Sequence, residues 1–259
     1  MDHHSSSLAK NQWRRASACA GAVLLLGSFL RAEEECPVEV KLLLSPASIQ
    51  TVIASLGLEK ETSARVYFFD TEELDLLKQG VIVRVRQGAN NDLTVKVRAP
   101  EGNQQVETAQ LRGQLPCEID RTGAGENTTY SVGHKYRPLQ VPEMGADIFR
   151  VLSPPQKRLL QEARVSLDWS RVRRLAKINA TQWETRSQAP FRKVALELWK
   201  WPMGEILELS AKVGLDPGRS KSAELQRLVT NKGLPLSASQ GTKTRTVLET
   251  LTHRDSTQQ

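Results

Sequence analysis

Residues 81–100 read VIVRVRQGANNDLTVKVRAP, two alternating runs joined by Gly88-Ala89-Asn90-Asn91, which is the pattern of a β-hairpin. Val81, Val83 and Val85 on the first run and Leu93, Val95 and Val97 on the second are apolar, and Arg84, Arg86, Lys96 and Arg98 stand between them. Side chains alternate across a strand, so the four cations share one face. A turn centred near Ala89–Asn91 puts Arg84 opposite Lys96, a like-charge pairing that destabilises a sheet unless something offsets it. The hairpin therefore asks for an anion.

Outward from it, the same two-residue rhythm recurs. Val38–Leu44 (VEVKLLL) reads as a first strand after an acidic lead-in at 33–37, and Ser45–Leu56 as a helix with Pro46 in its first turn and Gly57 as its stop. Val66–Asp70 reads as an aromatic strand and Thr71–Gln79 as a short helix. Ala99–Pro116 is polar and aperiodic, Cys117–Arg121 is a short strand, and 123–142, rich in Gly, Asn, Thr and Tyr, reads as a long loop or insertion. Met144–Ala163 is helical with a break at Pro154-Pro155. Arg173–Thr185, Lys193–Trp201 and Glu205–Val213 are strands, Ser222–Lys232 is a helix, and Thr242–Leu251 closes the domain. Eight strands with helices between hairpins predict an α+β domain over 38–251: an antiparallel eight-stranded β-barrel, a tunnel, with flanking helices and a polar tail at 252–259.

The 259 residues are 39% hydrophobic and 25% charged, an ordinary globular composition, with a formal net charge of +7. Lys10, Arg14, Arg15 and Arg31 against Asp2, four cations to one acid, place +3 of that excess in residues 1–32. The remaining surplus is only a weak argument for a polyanionic partner. Residues 1–32 read as an export signal: an Arg14-Arg15 n-region, then the apolar run Ala18–Leu30, too short to span a bilayer as a helix. A periplasmic or extracellular location is expected, with a membrane anchor or organellar transit peptide as the alternative. Cys19 falls inside the signal. Cys36 and Cys117 remain as an even pair, either a disulfide or two separate thiols. The four histidines form no cluster, which argues against a His-based metal site.

Charged strand faces are not confined to the hairpin. Glu39 and Lys41 alternate with Val38 and Val40, Glu118 and Asp120 flank Ile119, Glu197 lies between two leucines, and Glu208 leads to Ser210 and Lys212 at two-residue spacing. A half-exposed sheet accounts for any one such strand. Together they predict a closed lumen with a cationic wall and a carboxylate cluster. That combination suits a metal–phosphate ligand, since carboxylates hold a hard cation while Arg and Lys neutralise phosphate oxygens.

The succession VEVKLLL, helix, VYFFDT, ELDLLKQG, VIVRVRQ, LTVKVRAP resembles the CYTH, or triphosphate tunnel metalloenzyme, superfamily, which includes class IV adenylyl cyclases, thiamine triphosphatases and inorganic triphosphatases. The likeness runs from about Val38 to Glu249 and is most specific over 38–100. It implies phosphate-binding roles for Lys41, Arg84, Arg86, Lys96, Arg174 and Lys243. It implies metal-side roles for Glu39, Glu118, Asp120, Glu197 and Glu208, with Mg²⁺ or Mn²⁺ as the cofactor. There are two departures. Pro37 stands where the family's Glu-x-Glu-x-Lys strand has its first glutamate, and Glu208-Leu-Ser210-Ala-Lys212 keeps one acid where the family often has two or three.

The reading favours metal-dependent hydrolysis of a triphosphate-containing compound or inorganic polyphosphate. Hydrolysis is preferred to cyclisation because an exported protein has little access to ATP. The alternatives are a catalytically inactive polyanion-binding module of the same fold and a plain exported barrel with its charges outward. Trp183, Trp199 and Trp201 are expected to pack in the core or rim rather than stack bases, so nucleic acid is not an expected partner.

Overall fold

Strands β3 (Val81–Gly88) and β4 (Asp92–Ala99) pair as an antiparallel hairpin, but not in the expected register. Arg84 lies opposite Thr94, Arg86 opposite Asp92, and Lys96 opposite Ile82, so no two cations of the hairpin are directly opposed. Asp92 locks this arrangement, accepting from Arg86 Nε at 3.0 Å and from Thr94 Oγ1 at 2.8 Å.

The computed structural model describes residues 36–252 except 90, 100–114, 137–140, 143–144, 186–190, 192 and 217–218. The expected export signal at 1–32, most of the polar 99–116 stretch and the tail beyond 252 lie outside the described residues. No described helix is long and apolar enough to cross a membrane.

The chain runs β1 (Val38–Leu44), α1 (Ile49–Leu56), β2 (Lys60–Asp70), α2 (Asp75–Lys78), then the hairpin, β5 (Cys117–Thr122) and β6 (Gly125–Lys135). There follow α3 (Gly145–Val151), α4 (Pro154–Glu162), β7 (Arg173–Thr185), β8 (Lys193–Trp201), β9 (Gly204–Gly214), α5 (Ser220–Asn231) and α6 (Lys243–Thr252). The strands close a barrel in the order β1-β5-β6-β4-β3-β2-β7-β8-β9. It has nine strands and is mixed, which corrects the expectation of eight antiparallel ones. An odd number of strands cannot alternate direction all the way round a closed ring, so at least one neighbouring pair must be parallel. Here that pair is β1 with β5.

The additional strand is β6, within the stretch whose composition reads as a loop. Its Tyr130 and Val132 pack outward, while Thr129 and Ser131 face the lumen across from Arg98 and Lys96. Small polar residues there leave the interior to the long cations of β4. The apparent loop composition is what a charged lumen requires of the strand beside it.

Cys36 and Cys117 form a disulfide with Cα atoms 5.3 Å apart. Register is the reason, because Val38 pairs with Ile119 and the two cysteines lie two residues earlier, Cys36 just ahead of β1 and Cys117 at the start of the parallel β5. This seam has three paired residues against seven between β1 and β9. A crosslink at a sequence separation of 81 residues contributes roughly 4–5 kcal/mol in the chain-entropy account. Cys36→Ser is accordingly expected to lower the unfolding free energy by about 4 kcal/mol. Urea midpoints read this directly, and dithiothreitol should shift the wild type and leave the variant in place.

Alternation turns the apolar faces of the wall outward, where helices cover them. Val38, Val40, Leu196 and Leu209 pack against Val52 and Leu56 of α1 and Leu225 and Val229 of α5. Val81, Val83, Leu93, Val95 and Val97 pack under Ile148 of α3 and Leu159 and Leu160 of α4. Buried Gln156 ties α4 to the wall by donating to the carbonyls of Leu93 and Val132 at 2.8 and 3.1 Å. A third cluster fills one end of the lumen, where Phe68, Ile82, Ile178 and Trp199 meet Val247 and Leu248 of α6. Helix α6 is therefore a plug, and the charged residues share the other half of the interior.

Candidate functional site

The inward residues of the barrel line a cavity of about 500 Å³. Lys41, Arg84, Arg86, Lys96 and Lys243 line it together with Glu39, Glu118, Asp120, Glu197 and Glu208, so the fold brings these sequence-derived candidates to one place. Arg174 is the exception. A register shift between Phe68 and Phe69 pairs Arg174 with Phe69, and its guanidinium lies 5.5 Å from the ring centre of Tyr67. Tyr67 and Phe69 belong to the cluster outside the barrel, so Arg174 sits on the outer wall.

The parallel seam builds the acidic corner, since it sets Glu39 beside Asp120. Oxygens of Glu39, Glu118 and Asp120 all lie within 4.8 Å of one another. Lys41 Nζ bonds Asp120 and lies 3.1 Å from Glu39, and Lys212 of β9 donates to Glu118 at 3.0 Å. Asp120, fully buried, also accepts from Thr129 Oγ1 at 2.8 Å and lies 3.4 Å from Arg98. Burial alone would push these carboxyls up. Lys41 and Lys212 overcome it at Glu39 and hold it at about 2, while Lys41 and Arg98 hold Asp120 well below the usual carboxylate range. Glu118 moves the other way, raised by burial and by the neighbouring Glu39. Across the lumen, Lys243 at the start of α6 bonds Glu197, lies 2.7 Å from Glu208 and sits 4.5 Å over the Trp199 ring.

The cationic wall is balanced differently. Lys96 makes no ion pair among the described residues, and burial followed by repulsion from Lys41 and Arg84 lowers it to about 8. Arg84 is lowered to about 10 by burial and by Arg86, with Asp92 as its ion-pair partner at 3.8 Å. The Nε atoms of Arg84 and Arg98 are buried without a hydrogen-bond partner among the described residues. The acids of the cavity are matched to cations, whereas its cations are in excess on the β3–β4 side.

The sequence reading leaves the roles of Asp92 and Arg98 unassigned. Asp92 looks like a turn residue, yet its two-residue spacing to Thr94 and Lys96 places it on the inner row. Arg98, a cation of unassigned role, is a partner of Asp120.

A family model described as the CYTH domain matches residues 36–184. Among solved structures, a proposed adenylyl cyclase from Hippeastrum, described as having a dominant triphosphatase activity, aligns with a TM-score of 0.59 at 18% identity, over 82% of this chain and 94% of that one. A proposed adenylate cyclase from Bacillus halodurans aligns with a TM-score of 0.54 at 15% identity, over 82% and 97%. A search of curated protein sequences finds no match. The family match spans more than half of the chain and takes in the hairpin and the acidic corner, and on that ground the chain belongs to the CYTH domain family.

Proposed function

We propose that the cavity binds the phosphates of a triphosphate-containing compound or an inorganic polyphosphate and, with Mg²⁺ or Mn²⁺, hydrolyses a phosphoanhydride bond. The observation that carries this is the imbalance between the walls. Lys96 has no ion-pair partner among the described residues and the Arg84 and Arg98 Nε atoms have no hydrogen-bond partner there, and a linear polyphosphate brings several negative charges into line. Arg84 and Arg86 offer guanidinium forks that match phosphate oxygens, while Lys96 and Lys41 add compact charges.

Glu39, Glu118 and Asp120 form an all-oxygen donor set, which fits a hard divalent ion and agrees with the metal dependence general to CYTH proteins. Such an ion, when bound, neutralises phosphate charge and polarises the phosphoryl group toward water. The protein's own part is to align the phosphates along β3 and β4 and to keep Glu39 and Asp120 ionised. The Cys36–Cys117 bond supports export to an oxidising compartment.

A second reading, polyanion binding without turnover, is favoured by Pro37. Its carbonyl accepts the Ile119 N–H at 2.9 Å at the head of β1, in the row of Glu39 and Lys41, so that row begins without a carboxylate. Phosphate release from tripolyphosphate and from ATP, with Mn²⁺ or with EDTA, separates the two. Hydrolysis predicts Mn²⁺-dependent release that falls roughly 100-fold in Arg84→Ala, the loss of a charge-assisted phosphate contact. Arg174→Ala, on the outer wall, should leave release unchanged. Tight binding that ignores EDTA, with no release, would establish the second reading instead.

A further inference from the structure

We propose that Lys212 is a built-in counter-cation that competes with a divalent ion for the Glu39, Glu118 and Asp120 carboxylates, so that this chain takes up metal more weakly than those carboxylates alone would allow. The inference rests on the metal-site reading above and concerns what opposes it.

The row Glu208, Ser210, Lys212 faces the cavity, and strand register sets Lys212 directly across from Glu39. Its Nζ donates to Glu118 at 3.0 Å, while Lys41 covers the other side of the corner through Asp120 and Glu39. Two ammonium groups thus face three carboxylates. A divalent ion entering the corner must displace the Lys212 contact or sit within a few ångströms of a like charge, and either lowers its affinity.

The two lysines are not equivalent. The Lys41 side chain is 13% exposed, enclosed by Asp120 and Glu39, and belongs to the row that meets phosphate. The Lys212 side chain is 54% exposed at the edge of the cavity and can turn into water. It supplies no ligand oxygen. Removing it therefore takes away a competitor and leaves the donor set whole.

The test is Mn²⁺ binding to the full chain with no phosphate compound present, by electron paramagnetic resonance of free Mn²⁺ and by titration calorimetry. Lys212→Gln is expected to bind Mn²⁺ about tenfold more tightly, ~1.4 kcal/mol. Lys212→Arg, which keeps the charge, is expected to stay at the wild-type affinity, and Glu118→Gln to weaken binding in both backgrounds. Equal affinity in the wild type and Lys212→Gln overturns the proposal, and so does tightening in Lys212→Arg, while weakening by Glu118→Gln leaves the metal site standing. No Mn²⁺ binding in any variant overturns the proposal and the metal reading together.

Discussion

Lys96→Met is expected to stabilise the ligand-free protein and at the same time to weaken tripolyphosphate binding roughly 100-fold, the scale of one charge-assisted contact. Lys96 is half-buried beside Lys41, Arg84 and Arg98, and Asp120 compensates it only in part. Replacing a desolvated, poorly compensated charge with an apolar side chain of similar volume is neutral to favourable, and a gain of about 1–2 kcal/mol is expected at pH 7. The effect depends on pH with a definite sign. The group falls from an ordinary 10.5 to about 8 in the folded chain. Below about 8 it is charged whether folded or unfolded, and the folded state bears the full penalty. Between about 8 and 10.5 the folded chain sheds its proton first and the penalty fades. The advantage of Lys96→Met should therefore shrink as pH rises from 7 to 10. Triphosphate affinity of the wild type should decline as pH passes 8, and that of Lys96→Arg should not. Melting curves and calorimetry across this range check both. A Lys96→Met protein less stable than the wild type at pH 7 would show that Lys96 is compensated after all.

Asp120→Asn is expected to lower the stability by about 3–5 kcal/mol, because it leaves enclosed cations without their counter-charge. Lys41 would keep only Glu39, and Arg98 would lose its partner beside an already uncompensated Lys96. Since Asp120 and Glu39 sit below their ordinary values, their contribution is complete above about pH 5 and is lost as pH falls. Wild-type stability should drop between pH 5 and 2, with a shallower drop in Asp120→Asn. Added phosphate or sulfate should recover more stability in the variant, where the lumen carries one more net positive charge. Urea midpoints at pH 7 and pH 3 decide the matter, and equal midpoints for the two proteins would mean that water already serves Lys41 and Arg98.

Both predictions depend on which charges find partners, and that was only partly legible beforehand. The strands VEVKLLL and VIVRVRQ declare their inner and outer faces locally, because a period of two is a property of the backbone. Hence the clustering of Glu39, Lys41, Arg84, Arg86 and Lys96 could be foreseen. Strand β6 could not. Its Thr129 and Ser131 are explained only by the long side chains of Arg98 and Lys96 lying next to them, a relation between segments far apart in the chain. Arg174 lies outside the lumen for a similar reason, since a single irregularity between Phe68 and Phe69 changes which face it occupies.

Residue identity and alternation determined the α+β barrel and the charged lumen, and the resemblance to the CYTH superfamily supplied the candidate ligands for phosphate and metal. Tertiary structure decided the number and direction of the strands, the closing of the β1–β5 seam by Cys36 and Cys117, and the plugging of one end by α6. It also decided that the acids are paired and Lys96 is not. The division has one physical cause. Facing is set within a strand, whereas register, closure and charge compensation are set between strands, and a charge acquires its counter-charge only when the ring is complete.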